Sequence, residues 1–270
     1  MDTQNSTPKK KVEPVYDDGH GGITFEVVEE QIKEDGEHTV SRGVYLVPNM
    51  ITTLSLLSGF FSILSSMQGD FYKAALAIFL SAILDGMDGR VARMLNAQSP
   101  FGEQFDSLAD MLAFGAAPAI LMYSCALKPL GRIGVALAFV FTACAAFRLA
   151  RFNVQINVVD KKYFIGLASP LAALLVTSFV VVSLDYAWLQ IYGTTMIAIS
   201  AFWVVVCGLL MVSNVKYYSF KAFDRQRVPF WVLILGVVVL AAALYDIPMG
   251  ILVIGTVYAL SGFYTSFIAK

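Results

Sequence analysis

The chain has 270 residues, 57% of them hydrophobic and 14% charged, with a formal net charge of −1 and a mean hydropathy of +0.68. Soluble domains carry about 25% charged residues, so a water-exposed enzyme is excluded, and the near-neutral balance offers no basic surface for nucleic acid. His20 and His38 both precede the hydrophobic body, and Cys125, Cys144 and Cys207 stand apart without a CxxC spacing, which argues against a histidine triad, haem, a zinc site and a disulfide framework.

Residues 1–44 hold ten acids and five bases with few large apolar residues. That composition predicts a solvated, largely disordered tail. No basic segment leads directly into an apolar run with a cleavage site, so the tail does not read as a signal peptide. A short amphipathic helix is compatible with Phe25–Ile32.

From Leu46 onward eight apolar segments follow, at about 46–67, 71–95, 103–126, 132–152, 166–186, 193–213, 228–245 and 249–267. Each has roughly the 20 residues that a helix needs to cross a ~30 Å hydrocarbon core. Gln68-Gly69-Asp70, Lys128-Pro129 and Asp246-Ile247-Pro248 supply turns between them. The expected fold is an all-α polytopic membrane protein of about eight transmembrane helices. The acidic tail is expected over 1–44 and a transmembrane catalytic domain over 45–270. With both termini in the cytoplasm, 16 of the 19 Lys and Arg fall on that side, leaving Lys73, Lys128 and Arg132 outside. Positive charge stays inside, so this orientation is the expected one.

Five acids beyond the tail resist assignment to loops: Asp85, Asp88, Glu103, Asp106 and Asp110. Asp85 and Asp88 are three apart on the second helix, Asp106 and Asp110 four apart on the third, so each pair shares a helical face. Gly89 and Ala92 lie beside Asp85, Gly102 one turn before Asp106, and Ala113 and Ala117 continue the third helix's stripe. Small residues between acids let two backbones approach and leave room for a ligand. An acid in a membrane helix costs about 2.5–3.5 kcal/mol at the centre and less near an interface. Arg90 and Arg93 alone do not balance four carboxylates. Hard divalent cations with oxygen ligands do, and Mg²⁺ also recruits substrate phosphates. On the residues alone, a structural carboxylate–arginine network and a cation or proton pathway remain open.

The run Asp85-Gly86-Met87-Asp88-Gly89-Arg90-Val91-Ala92-Arg93, followed by Gly102, Asp106 and Asp110, has the form D-x2-D-G-x2-A-R-x8-G-x3-D-x3-D. At every fixed position it resembles the signature of the CDP-alcohol phosphatidyltransferase family. The stretches Tyr45–Thr53, Phe147–Asn153, Phe164–Pro170 and Met211–Lys221 resemble the serine-using integral-membrane branch of bacteria and archaea. The resemblance covers roughly 44–225. Ala168 departs from it, standing where a proline is expected in a Gly-Leu-Pro-Ser-Pro element.

The resemblance implies that the phosphatidyl group of CDP-diacylglycerol passes to L-serine, with CMP leaving, in an enzyme that works as a homodimer in the bilayer. It implies a divalent metal, Mg²⁺ or Mn²⁺ and two ions, held by Asp85, Asp88 and Asp106 with Asp110 and the Gly86 carbonyl. Asp110 is then the catalytic base, and Gly89, Ala92, Arg93 and Gly102 shape the CDP site. Arg148 and Arg151 are expected to recognise the serine carboxylate or a phosphate, since a guanidinium grips both bidentately. Glycerol phosphate or inositol phosphate as acceptor, and a cation transporter from another class, are the alternatives.

Overall fold

A computed structural model describes residues 31–32, 38–39, 46–95, 99–155, 163–186, 193–218 and 245–268. The chain divides into two units, Met1–Val40 and Ser41–Lys270. In the first, β1 (Gln31–Ile32) pairs antiparallel with β2 (His38–Thr39). The end of the helix expected over Phe25–Ile32 is therefore strand. The rest of that helix, like most of the expected tail, lies outside the described residues.

The second unit is helical: α1 (Leu46–Gln68), α2 (Phe71–Met94), α3 (Pro100–Asp110), α4 (Ala117–Met122), α5 (Arg132–Gln155), α6 (Ser169–Asp185), α7 (Thr194–Val212) and α8 (Ile247–Ile268). Seven of the eight expected segments are helices, and the eighth, 228–245, lies outside the described residues except for Tyr245 at its end. A short ladder joins β3 (Tyr163–Ile165) to β4 (Lys216–Tyr218), antiparallel. Gly166, at φ +78°, follows β3, and a Cβ there would meet the Met211 carbonyl oxygen at 2.4 Å; only glycine fits this crossing.

Among the described residues, four helices are long and apolar enough to cross a membrane: Leu46–Gln68, Phe101–Leu130, Arg132–Val154 and Thr194–Val212. The chain is an integral membrane protein. α2 has the length but also carries Lys73, Asp85, Asp88, Arg90 and Arg93, while α6, at 17 residues, is only about 25 Å long.

α1 shows how such a bundle packs. Its buried residues are Pro48, Thr52, Ser55, Ser58, Gly59, Ser62, Ser65 and Ser66, whereas Leu54, Leu57, Phe60, Phe61 and Leu64 are exposed. Large apolar side chains face outward, where lipid would be, and small residues let neighbouring backbones approach. α1 packs most extensively on α2. There Ser55 Oγ lies 2.7 Å from Ser81 Oγ, and Ser58 Oγ donates to the Ala77 carbonyl at 2.7 Å. Toward the third segment, Gly59 of α1 abuts Ala113, whose Cα would sit 2.8 Å from a Cβ at position 59.

The third segment departs from the single helix expected over 103–126. It starts earlier, at Pro100, because Ser99 caps it by accepting from the Gly102 amide at 2.9 Å, with proline in the first turn. It then widens into π turns at Met111–Ala116 and Tyr123–Leu127, separated by α4, and tightens into a 3₁₀ turn at Lys128–Leu130. Thr142 of α5 donates to the Gly115 carbonyl in the first widened turn at 3.3 Å. Both Ala113 and Ala117 are fully buried.

Candidate active site

The last three turns of α2 and the three turns of α3 carry the acids. One carboxylate oxygen from each of Asp85, Asp88 and Asp106 lies within 4.8 Å of the others. Two adjacent helices thus bring together acids that are 21 residues apart in sequence. Asp110 sits one turn beyond Asp106 and faces Asp85 within hydrogen-bonding reach. Arg148 of α5 lies close enough to both to act as their charge partner.

These residues suit a hard divalent cation. Asp106 Oδ1 is buried with no hydrogen-bond partner among the described residues, an arrangement that costs free energy unless something positive meets it. Among the described residues the only ion pair within 4.0 Å is Lys73–Asp70, far along the chain from the cluster. Arg90 and Arg93 make no such pair with the aspartates. The carboxylate–arginine network left open by composition therefore lacks its contacts. An all-oxygen donor set of this kind matches Mg²⁺ or a similar ion.

Beside the carboxylates a cleft of about 550 Å³, counting its open mouth, runs between α1, α2 and α3. Gly89, Ala92, Arg93 and Gly102 all line it, together with Asp88 and Asp106. A Cβ added at Gly86 or Gly89 would meet nothing within 4 Å, so both glycines border open space. Gly102 is tighter: a Cβ there would come within 3.1 Å of Ser99 Oγ and 3.4 Å of Asn49 Oδ1.

Several lining residues lie outside the aspartate pattern. Pro48, Asn49 and Thr52 form the α1 wall, facing Ser99, the cap of α3, and Glu103 within it. Thr52 donates to Asp88 Oδ2 at 2.8 Å. The available signal was the Tyr45–Thr53 stretch, whose resemblance marked the segment without showing which of its side chains turn inward.

The two arginines of α5 are separated by the fold. Arg148 donates to the Ser169 hydroxyl at the start of α6 and lies over the Phe152 ring, 5.8 Å from its centroid. Arg151 turns to the end of α7 instead, donating to Asn214 Oδ1 at 2.7 Å and to the Val212 carbonyl at 3.4 Å. Of the two, Arg148 is the one whose charge reaches Asp85 and Asp110. Farther along α5, Asn153 donates to Ser107 Oγ at 3.0 Å, tying this helix to α3 between Asp106 and Asp110.

Residues 45–206 match the family model described as CDP-alcohol phosphatidyltransferase. The chain is 43% identical over 178 residues to the CDP-diacylglycerol–serine O-phosphatidyltransferase of Helicobacter pylori, covering 66% of this chain and 74% of that protein. It is 36% identical over 179 residues to the Bacillus subtilis protein of the same name, covering 65% and 91%. With the same-named protein of Methanocaldococcus jannaschii it shares 33% identity over 223 residues, 82% and 94% of the two chains. With the aspartates drawn to one end of two adjoining helices beside an open cleft, the chain belongs to the CDP-alcohol phosphatidyltransferase family.

Proposed function

We propose that this protein transfers the phosphatidyl group of CDP-diacylglycerol to L-serine, giving phosphatidylserine and CMP. The observation that carries the reading is the convergence of Asp85, Asp88 and Asp106 oxygens within 4.8 Å, beside a cleft bordered by glycines. Relatives named for serine as acceptor, at 33–43% identity, supply the alcohol.

Asp85, Asp88 and Asp106 would hold divalent metal, Mg²⁺ or Mn²⁺ and two ions, with the Gly86 carbonyl adding a donor and Asp110, also expected among the ligands, kept as the base. Such ions, when bound, shield the pyrophosphate and stabilise the leaving phosphate. The open space at Gly89, with Ala92 and Gly102, admits the cytidine diphosphate, and the Arg93 guanidinium on the same wall attracts its phosphates. Asp110 accepts the proton of the incoming serine hydroxyl. Arg148, held by Ser169 and Phe152, presents its charge beside Asp110 and serves the serine carboxylate. Arg151, on the same helix, is held by Asn214 and the Val212 carbonyl at the end of α7 and secures the bundle rather than the acceptor.

No histidine lies in the helical unit, and Cys125, Cys144 and Cys207 are buried among apolar residues. Direct displacement by the serine oxygen is therefore favoured over a covalent phosphatidyl-enzyme.

The distribution of bases supports cytoplasmic termini and a cytoplasmic site, where soluble serine arrives and CMP departs. A cysteine placed in the tail should resist an impermeant thiol reagent outside intact cells; strong labelling there would reverse the orientation. A homodimer follows from the family resemblance and is checked by the mass of the protein in nanodiscs.

The deciding assay supplies purified protein with CDP-diacylglycerol and radiolabelled serine and measures CMP and labelled lipid, with and without divalent metal. Metal-dependent formation of both is expected. CMP release with glycerol phosphate or inositol phosphate and not with serine would leave the family standing and remove the acceptor.

A further inference from the structure

Thr52 belongs neither to the aspartate pattern nor to the residues expected to touch substrate. It is 4% exposed, as is Asp88, and its hydroxyl lies 2.8 Å from Asp88 Oδ2. Water therefore has little access to replace that bond. Helix packing sets the separation of the two groups. One turn along α1, Ser55 donates to the Ser81 carbonyl at 3.1 Å, and Ser81 returns a bond to the Ser55 carbonyl at 3.1 Å.

The Thr52 hydroxyl has one proton and two acceptors, since the Pro48 carbonyl lies 3.1 Å away. A hydrogen bond to a carboxylate is roughly twice as strong as one to a neutral acceptor, so the proton goes to Asp88. The bond engages one of the two Asp88 oxygens and fixes the plane of the carboxylate. Asp88 has no other side-chain partner among the described residues.

We propose that Thr52 is a positioning residue that locks the Asp88 carboxylate, so that the affinity of the aspartate cluster for a divalent cation depends on a hydroxyl of α1. The inference rests on the metal reading proposed above and adds to it a residue on a third helix. Partners that orient metal ligands characteristically change affinity about 10–100-fold when removed.

The test uses the full chain in nanodiscs with Mn²⁺ alone, no nucleotide or serine present, and measures Mn²⁺ binding by calorimetry. Thr52→Val is expected to weaken binding about 10–100-fold, while Thr52→Ser, which keeps the hydroxyl, restores it. In an Asp88→Asn background Thr52→Val should change nothing further, because the pair acts as a unit. Should Thr52→Val fail to assemble, Thr52→Cys, with a weak donor of similar size, takes its place. Mn²⁺ binding unchanged in Thr52→Val, or equally poor in Thr52→Ser, overturns the proposal. So does an equal loss with and without Asp88, which would mark a purely structural role. If Asp88→Asn itself binds like the parent, the metal assignment falls and this inference with it. If Asp88→Asn is weak and Thr52→Val is not, Thr52 alone is dismissed.

Discussion

Arg151 reaches across the bundle to Asn214, donating from Nη2 to Oδ1 at 2.7 Å. Its other contact, to the Val212 carbonyl, meets one of the acceptors that a helix end leaves without an intrahelical partner. Arg148, one turn earlier, donates to Ser169 and adds its charge to the field around Asp85 and Asp110 without an ion pair to either. Arg148→Ala should therefore raise the serine KM far more than the CDP-diacylglycerol KM. Arg151→Ala should instead lower stability by about 1 kcal/mol, a fall in Tm of roughly 2–4 °C. Steady-state kinetics and melting of the two variants check the split, and a larger serine KM effect in Arg151→Ala would reverse it.

Asp106 and Asp110 share a helical face but not their surroundings. Asp106 has a buried oxygen without a partner, while Asp110 lies against Asp85. Asp106→Asn is expected to abolish CMP release and weaken Mn²⁺ binding. Asp110→Asn should lower turnover about 10²–10⁴-fold, the range of a general base, with CDP-diacylglycerol and metal binding nearly intact. An Asp110 variant that loses metal as badly as the Asp106 variant would make both of them ligands.

Two glycines make opposite predictions. Gly59 meets backbone, with Ala113 Cα 2.8 Å from an added Cβ, so Gly59→Ala should cost about 1–3 kcal/mol of stability. Gly89 meets nothing within 4 Å and borders the cleft. Gly89→Leu should melt like the parent while raising the CDP-diacylglycerol KM by about tenfold or more, the equivalent of 1.4 kcal/mol. A Gly89→Leu enzyme with unchanged kinetics would place the nucleotide elsewhere.

Ala168 has φ −63° and ψ 135° and precedes α6, a conformation that proline adopts without strain. Among the described residues its N–H has no acceptor. Ala168→Pro should raise stability by about 0.4–1 kcal/mol through the unfolded chain and leave the preference for serine unchanged. A lowered Tm would show that the neighbouring Leu167 resists the restriction a following proline imposes.

The parts of this architecture legible in the sequence are those written in local spacing. Asp85, Asp88, Asp106 and Asp110 reveal their shared faces through intervals of three and four, and seven apolar runs mark the described helices, one run covering both α3 and α4. Contacts made across the bundle left no such trace. The bond between Thr52 and Asp88 spans 36 residues, and that between Arg151 and Asn214 spans 63. Their partners are set by helix packing, which periodicity does not encode. Arg148 and Arg151, three positions apart and so on one side of α5, differ because their long side chains reach different neighbours, Ser169 of α6 and Asn214 beyond α7. The π turns after Asp110 were equally hidden, since Met111–Ala116 has the same apolar composition as an ordinary helical turn. The ladder between β3 and β4 joins segments separated by all of α6 and α7.

The hydroxyl seam between α1 and α2 has a consequence for handling the protein outside its bilayer. Ser55, Ser58 and Ser81 satisfy one another and nearby carbonyls, but water satisfies the same groups equally well. An interface of leucines would tighten on contact with water, whereas this one gains little from exclusion of solvent and depends on lipid to keep competitors away. Harsh, short-chain detergents that admit water should loosen α1 first. Pro48, Asn49 and Thr52 would leave the cleft with it, and catalysis would fade while the helical content of the remaining bundle persisted.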